Sequence, residues 1–181
     1  IRPLESALSD SAVRDHLGRY TSYKQDAYAA WNIAGWREGI LISIPDNTQV
    51  AKPVVIYHIS DAAGGEMLSV NRNLFIVGKN SEVTIIEKFD STANGNHFLN
   101  LVNEFVVDEN ANVNFYSIHN DEGNRYQYTS TDFYQKRSSR VNTWSFTLSG
   151  KLIRINLQLI LDGEGIESHM YGLYLLAGNT L

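Results

Sequence analysis

The sequence predicts a mainly β protein: a right-handed parallel β-helix, or solenoid, behind a short α-helical N-terminal segment. The first observation is an internal echo. Residues 73–89, NLFIVGKNSEVTIIEKF, are matched by residues 103–119, NEFVVDENANVNFYSIH. Both place an aromatic third (Phe75, Phe105), Val fifth (Val77, Val107), a small residue ninth (Ser81, Ala111) and Val eleventh (Val83, Val113). The second is repetition: the frame fits residues 40–56, 131–147 and 156–172 less closely, so its starts at 40, 73, 103, 131 and 156 step by 33, 30, 28 and 25. The third is physical. A strand–corner–strand unit of this size buries its apolar face only against its neighbours, which is how a solenoid is built.

Stacked coils set equivalent positions about 4.8 Å apart in parallel ladders. One expected ladder is Ile42, Phe75, Phe105 and Phe133, broken by Gln158. A second is Ile44, Val77, Val107 and Ile160, interrupted by Gln135, and a third is Val50, Val83, Val113, Val141 and Ile166. Apolar residues would point inward and polar ones outward. Right-handed coiling is the default for parallel crossovers. Short strands with frequent turns also suit an antiparallel sandwich, but the constant offset of ten residues inside each repeat favours the solenoid.

In chain order, residues 4–36 read as helical. Leu4 and Leu8 share one face, as do Val13, Leu17 and Tyr20. Ser9, Asp10 and Ser11 offer N-caps for a helix starting near Ala12. Thr21 and Ser22 would cap a second helix, with Gln25 completing a capping box and Ala27, Tyr28, Trp31, Ala34 and Gly35 as its buried stripe. Such a segment would cover an open solenoid end. From Gly39 the texture changes to strands. Residues 40–44 alternate and stop at Pro45-Asp46-Asn47, a turn signal. Residues 50–58 resume, with Pro53 at an edge or corner. Residues 61–66 form a loop, 90–97 and 121–124 further connections, 129–148 the fourth unit and 149–151 a turn. Residues 154–161 read as a strand, 162–165 as a corner and 166–176 as a further strand pair. The division is a helical segment over 1–36 and a β-helix core over 37–181.

Composition bounds the partners. The net charge of −5 and pI near 5.5 lack the clustered Lys and Arg that a duplex-DNA surface needs. The chain has no cysteine, so disulfides and cysteine-ligated metals are excluded within it. No apolar run reaches the length of about 18 residues that a membrane helix requires. The N-terminus has neither a basic leader nor an apolar signal core, although a chain opening on Ile leaves an upstream signal open.

Several ordered motifs carry a family resemblance. They begin with Trp31-Asn32-Ile33-Ala34-Gly35-Trp36, Glu38-Gly39 and Ile44-Pro45. Arg72-Asn73-Leu74, Val77-Gly78-Lys79-Asn80-Ser81 and Asn103-Glu104 follow. The last are Leu152-Ile153-Arg154-Ile155-Asn156-Leu157, Leu161-Asp162-Gly163-Glu164-Gly165 and Tyr171-Gly172-Leu173-Tyr174-Leu175. The chain resembles the SufB/SufD family of the SUF iron–sulfur cluster assembly system, closer to SufD. The resemblance implies a non-catalytic, cytoplasmic scaffold subunit that works with a SufB-like subunit and a SufC-like ATPase. It implies no catalytic, metal or cofactor residue within this chain, the iron–sulfur cluster belonging to the full complex. Its family-motif residues are Asn32, Gly39, Arg72, Asn73, Gly78, Ser81, Arg154, Asn156, Gly163, Gly165, Gly172 and Leu173, each with a structural role. The sequence departs from the family at Glu38, where Asp is usual, and at Ile155, where Asn is usual. It stops at Gly178-Asn179-Thr180-Leu181 where the family continues, so the SufC contact and a His-bearing segment are expected beyond it. An unpaired edge near Leu175 and Leu176 would promote association, including a homodimer.

Other constellations are weaker. His16, His58, His97, His119 and His169 show no ligand spacing, although His58, His97 and His119 would approach one another if coils stack. Asp121-Glu122-Gly123-Asn124 and Asp162-Gly163-Glu164-Gly165 look faintly like calcium loops but read better as turns. Lys136-Arg137-Ser138-Ser139-Arg140 is the one concentrated basic patch, and its plain reading is a solvated corner. Arg125, Lys136, Arg137 and Arg140 beside carboxylates would suit the rival class, an extracellular β-helix that binds carbohydrate or cleaves polysaccharide.

Overall fold

Each coil of the protein lays one strand in each of two sheets. The structure, a computed structural model, describes residues 1–92, 95–120 and 124–175. Strand β1 (Arg2–Pro3) is followed by a single 3-10 turn (Glu5–Ala7), α1 (Ser11–His16) and α2 (Ala27–Gly35). The coils are β2 (Ile40–Ile44) with β3 (Val54–Ser60), β4 (Met67–Val77) with β5 (Glu82–Ser91), and β6 (His97–Val107) with β7 (Asn112–His119). Then come β8 (Arg125–Lys136) with β9 (Arg140–Thr147), and β10 (Leu152–Asp162) with β11 (Glu167–Tyr174). Sheet A runs β1-β2-β4-β6-β8-β10 and sheet B β11-β9-β7-β5-β3. All pairs are parallel except β1 with β2. The antiparallel sandwich is excluded and the parallel solenoid stands, with about four turns.

The ladders form the core. Ile42, Phe75, Phe105 and Phe133 are register partners in turn, with ring centroids 4.1 Å apart for Phe75–Phe105 and 4.3 Å for Phe105–Phe133. The last coil corrects the frame. Phe133 pairs with Leu159, not Gln158, and Gln135 pairs with Leu161, not Ile160. The fifth repeat therefore begins at Leu157, one residue later than its sequence frame, and the phenylalanine ladder ends on Leu159 unbroken. Val141 pairs with Ser168 rather than Ile166. The corner from Leu161 to Ser168 holds one residue more than that from Gln135 to Val141, so the constant offset fails there.

The tight corners share one device. Asn47, Asn80, Asn110 and Ser138 stack with φ of 57°, 54°, 57° and 57°, and Gly165 follows at 69°. Asn tolerates this left-handed conformation better than other side chains. Asn80 Nδ2 donates to Asn47 Oδ1 (2.9 Å) and Asn110 Nδ2 to Asn80 Oδ1 (3.1 Å), tying successive coils. The starts 40, 73, 103, 131 and 157 step by 33, 30, 28 and 26. The lost residues come from the opposite rim, where Phe89 to His97, His119 to Arg125 and Thr147 to Lys151 shorten, and from 51–53 in the first coil. Residues 93, 94, 121–123 and 176–181 lie outside the described residues. So does most of the 121–124 turn.

The N-terminal segment differs most from expectation. Only α1, α2 and the 3-10 turn are helical. Helix α2 starts at Ala27 because Asp26 caps it, its carboxylate accepting from the N–H groups of Tyr28 (2.8 Å) and Ala29 (3.0 Å). Thr21 caps nothing and reaches the sheet instead. The buried positions of α2 are Ala29 and Asn32, while Tyr28 and Trp31 stay two-fifths exposed. Both rings lie over sheet A aromatics, Tyr28 on Tyr128 and Trp31 on Phe98. Leu4 is buried and Leu8 is exposed, so they do not share a buried face. Val13, Leu17 and Tyr20 do pack together, with Leu41, Leu74 and Val106. The segment thus covers the outer face of sheet A, and β1 blocks the edge of β2. Residues 166–176 hold one strand, β11, rather than a pair.

Candidate functional site

Alternation along each strand sends odd and even residues to opposite faces. In β4, β6 and β8 the outward set brings Arg72, Glu104 and Asp132 beneath the N-terminal segment, all essentially fully buried. Arg72 donates to Glu104 Oε2 from Nε (3.1 Å) and Nη2 (2.8 Å), and to Asn32 Oδ1 from Nη1 (3.0 Å). Glu104 also accepts from the N–H groups of Gly18 (2.8 Å) and Tyr20 (3.1 Å). Asn32 Nδ2 donates to the Asn71 carbonyl (2.9 Å), and Asn100 Nδ2 to the Tyr28 carbonyl (2.9 Å). Thr21 Oγ1 donates to Asp132 Oδ2 (2.9 Å), and Gln158 Nε2 to the Tyr20 carbonyl (3.2 Å). One segment is thereby tied to four coils. Burial pushes the Asp132 carboxyl up to about 6, opposed by its hydroxyl donors Thr21 and Ser130 and reinforced by Glu104.

The inward set divides along the coil. Near the tight corners it is Phe, Val and Ile. Toward the loop rim it is polar. The Ile40 N–H donates to Asn73 Oδ1 (3.1 Å), Asn73 Nδ2 to Asn103 Oδ1 (2.9 Å) and Asn103 Nδ2 to Glu87 Oε2 (3.0 Å). Glu87 Oε1 then meets His58 Nε2 at 2.9 Å. The rings of His58, Phe89 and His119 stack at 4.7 and 4.5 Å. His119 stays neutral at pH 7, because burial lowers its imidazole to about 4, with smaller opposition from Gln127 and further lowering from Arg125. Strand β2 pairs only with residues 74–77 of β4, which leaves an opening into this polar half. The cavity there, about 180 Å³, is lined by His58, Ser60, Ser69, Asn71, His97 and Arg125 among others. The three histidines therefore share one rim, but Phe89 stands between two of them. Among the described residues no three His, Asp or Glu side chains could hold a metal ion. His16 and His169 lie elsewhere.

The motif residues fall into three places. Asn32, Gly39, Arg72 and Asn73 meet at the junction of α2 with the first coils; a Cβ on Gly39 would fall 1.7 Å from the Arg72 carbonyl oxygen. Gly78 and Ser81 shape the next tight corner. A Cβ on Gly78 would lie 2.7 Å from the Asp46 nitrogen. Ser81 Oγ donates to the Pro45 carbonyl (2.7 Å) and accepts from the Thr48 N–H (3.0 Å). The rest lie in the last coil. Asn156 Nδ2 donates to the Tyr128 hydroxyl (3.0 Å) and Arg154 is exposed. Gly163 backs onto Arg137, Gly165 onto Ser138 and Gly172 onto Tyr174; Leu173 is exposed. Sequence reasoning held Glu104 only as part of the Asn103-Glu104 motif, with no role, and passed over Glu87 and Asp132. Strand parity was the available signal: Glu87 shares the inward register of Val83, Ile85 and Phe89.

The basic corner is largely neutralised, since Lys136 pairs with Asp108 (3.0 Å) and Arg140 with Glu167 (2.9 Å). Arg125 is buried inside the solenoid, not on an outer face. Outward residues are not uniformly polar. On sheet B, Val55, Ile86, Tyr116, Trp144 and Tyr171 form one outward column, and Tyr57, Lys88, Ile118, Phe146 and Leu173 the next. Tyr116 stacks on Trp144 (4.4 Å) and Trp144 on Tyr171 (5.7 Å), nearly parallel. These rings turn their faces to one another along the axis and their edges outward, so they offer no ring-face platform for a sugar. No described helix is long and apolar enough to cross a membrane.

Residues 58–181 match the family described as SUF system FeS cluster assembly, SufBD core domain. The chain is also 27% identical, over 179 residues, to an iron-sulfur cluster assembly SufBD family protein of Synechocystis sp.. That alignment covers 93% of this chain and 40% of the relative, so the chain spans about two fifths of the length of the curated relative it matches.

Proposed function

Because the chain belongs to the SufBD core family, we propose that it serves iron–sulfur cluster assembly as a non-catalytic, SufD-like scaffold subunit. It assembles with a SufB-like subunit and a SufC-like ATPase in the cytoplasm. The family match over residues 58–181 is the observation that carries this reading. The geometry supports it: polar residues that an enzyme would display are spent on holding elements together, as Arg72 and Glu104 hold the N-terminal segment. The donor set does not fit a resident cluster. The chain has no cysteine, and its described His, Asp and Glu side chains form no ligand triad. On this reading the cluster belongs to the full complex, and this chain supplies rigidity.

Affinity capture with the full-length protein as bait, at native expression, tests the reading. It should retrieve a SufC-like ATPase together with a SufB-like subunit. Capture of neither, under conditions in which those two retain each other, overturns it.

A further inference from the structure

Strand β2 pairs with β4 only from Leu74 to Val77, and a single bridge, Glu38 to Asn71, extends the contact. Upstream of that bridge the chain leaves the sheet for α2, so the edge of β4 from Met67 to Val70 is uncovered among the described residues. We propose that this edge binds an extended peptide segment of a partner protein, added to sheet A as a short strand in line with β2. Its inward side chain is acidic and the outward ones on either side are apolar. Hydrogen bonding is the first argument. In a parallel ladder, successive residues turn their N–H and C=O groups to alternate neighbours. Even residues of β4 face the β2 side: the Arg72 N–H donates to the Glu38 carbonyl (2.9 Å), and the Val70 carbonyl accepts from the Arg37 N–H (3.0 Å). Met67 faces the other way, its N–H donating to the Asn96 carbonyl (2.9 Å). The Leu68 N–H and carbonyl and the Val70 N–H thus point to the open side, where no described strand meets them. Exposed edges are ordinarily blunted by charges or proline, and Met67-Leu68-Ser69-Val70-Asn71 has neither.

Space and charge select the occupant. A groove of about 440 Å³ runs along this edge, walled by Trp31, Gly35, Arg37 and Glu38. It shares Glu38, Met67, Ser69 and Asn71 with the 180 Å³ cavity. Ser69 has the inward parity of Asn73 and Phe75, so a strand residue set opposite it would send its side chain into that cavity. There His58, His97 and Arg125 present ring and guanidinium nitrogens. His97 Nε2 meets the Ser69 hydroxyl at 3.0 Å, and Arg125 Nη2 donates to the Ser60 hydroxyl (3.0 Å) and the Asp90 carbonyl (2.9 Å). The buried Glu87 carboxylate is engaged by His58 and Asn103. At the mouth, the exposed Arg37 and Glu38 offset each other. A carboxylate is the side chain that suits such a donor set. Residues opposite Leu68 and Val70 would point outward, over Leu68 and its register partner Phe98. Trp31 stacks on Phe98 at 5.8 Å, and Leu68 is 58% exposed, which makes an apolar shelf. Strand addition draws affinity from main-chain bonds and specificity from pockets for alternate side chains. Both are present along this edge.

The probe is a short fluorescein-labelled peptide with valine–glutamate–valine at its centre, titrated into the full-length protein and read by fluorescence anisotropy. Saturable binding is expected, at least tenfold weaker when lysine replaces the glutamate. Leu68→Pro removes an N–H turned to the groove and none turned to β6. It should cost at least tenfold in affinity while the circular dichroism spectrum is kept. Residue-resolved amide exchange on the unaltered protein gives a second readout. Saturating peptide should slow Leu68 and Val70 at least tenfold and leave Met67 and Ser69, which face β6, unchanged. Binding through side chains alone would not produce that pattern. No saturable binding up to millimolar peptide overturns the proposal. So does binding indifferent to Leu68→Pro or to the lysine exchange. Protection of Leu68 and Val70 before any peptide is added, whether by another part of the same chain or by a second copy, overturns it too.

Discussion

Arg72 carries the most at the scale of single residues. Its guanidinium and the Glu104 carboxylate are both withdrawn from water and satisfied by each other and by Asn32, Gly18 and Tyr20. Removing one member leaves an unpaired buried charge. Arg72→Met should therefore destabilise the protein by about 3–5 kcal/mol, read as a lower urea midpoint, and Glu104→Leu added to it should restore much of the loss. Two other buried groups set opposite pH dependences. Asp132 titrates near 6 in the native state against an ordinary 3.8. The native state thus holds its proton more tightly, and this contribution to stability grows as pH falls through 6 toward 3.8. His119 titrates near 4 against 6.5; its contribution is present above 6.5 and is lost as pH falls toward 4. The two nearly cancel between pH 4 and 6. Asp132→Asn should raise stability at pH 7.5 by up to about 3 kcal/mol and uncover a decline below pH 6.5, measured by urea titrations at several pH values.

At the scale of the element, the asparagine corner sets coil on coil. Asn80 accepts one amide bond, donates another and holds φ of 54°. Asn80→Ala should cost about 1–2 kcal/mol through the left-handed conformation alone, and Asn80→Gly clearly less, compared by thermal unfolding. The repeated strands were legible because Val and Phe recur at fixed places in a frame with period-two alternation. What misled was a count of one. The last coil starts at Leu157 rather than Asn156, and a one-residue slip moves every side chain of its first strand to the other face; the extra residue between Leu161 and Ser168 adds a second slip at the corner. Helix α2 was misread for a different reason. Its helical spacing marks an aromatic stripe, but the sheet beneath presents Arg72 and backbone carbonyls, so Asn32 turns inward and the rings spread over Tyr128 and Phe98. The partner surface decides that orientation, and it comes from residues some forty positions and more away in sequence. The roles of Glu104 and Asp132 were hidden for the same reason, since an outward carboxylate reads as solvated until something covers it.

Across the whole molecule, stability follows neighbours. Each inner coil is sandwiched between two neighbours, whereas among the described residues β10 and β11 pair on one side only. In a one-dimensional stack the terminal unit opens first. Amide hydrogen exchange should therefore be slowest in β6, β8 and residues 74–77 of β4, each paired on both sides; uniform protection across the strands would contradict this additive picture. The rim opposite the asparagine corners changes length from coil to coil while the paired strands keep their register. Gly64 and Gly65 on that rim have nothing within 4 Å of where a Cβ would stand. A foreign peptide spliced between them would hang clear of the stack, which makes this side of the molecule a ready mount for grafted epitopes or reporter tags.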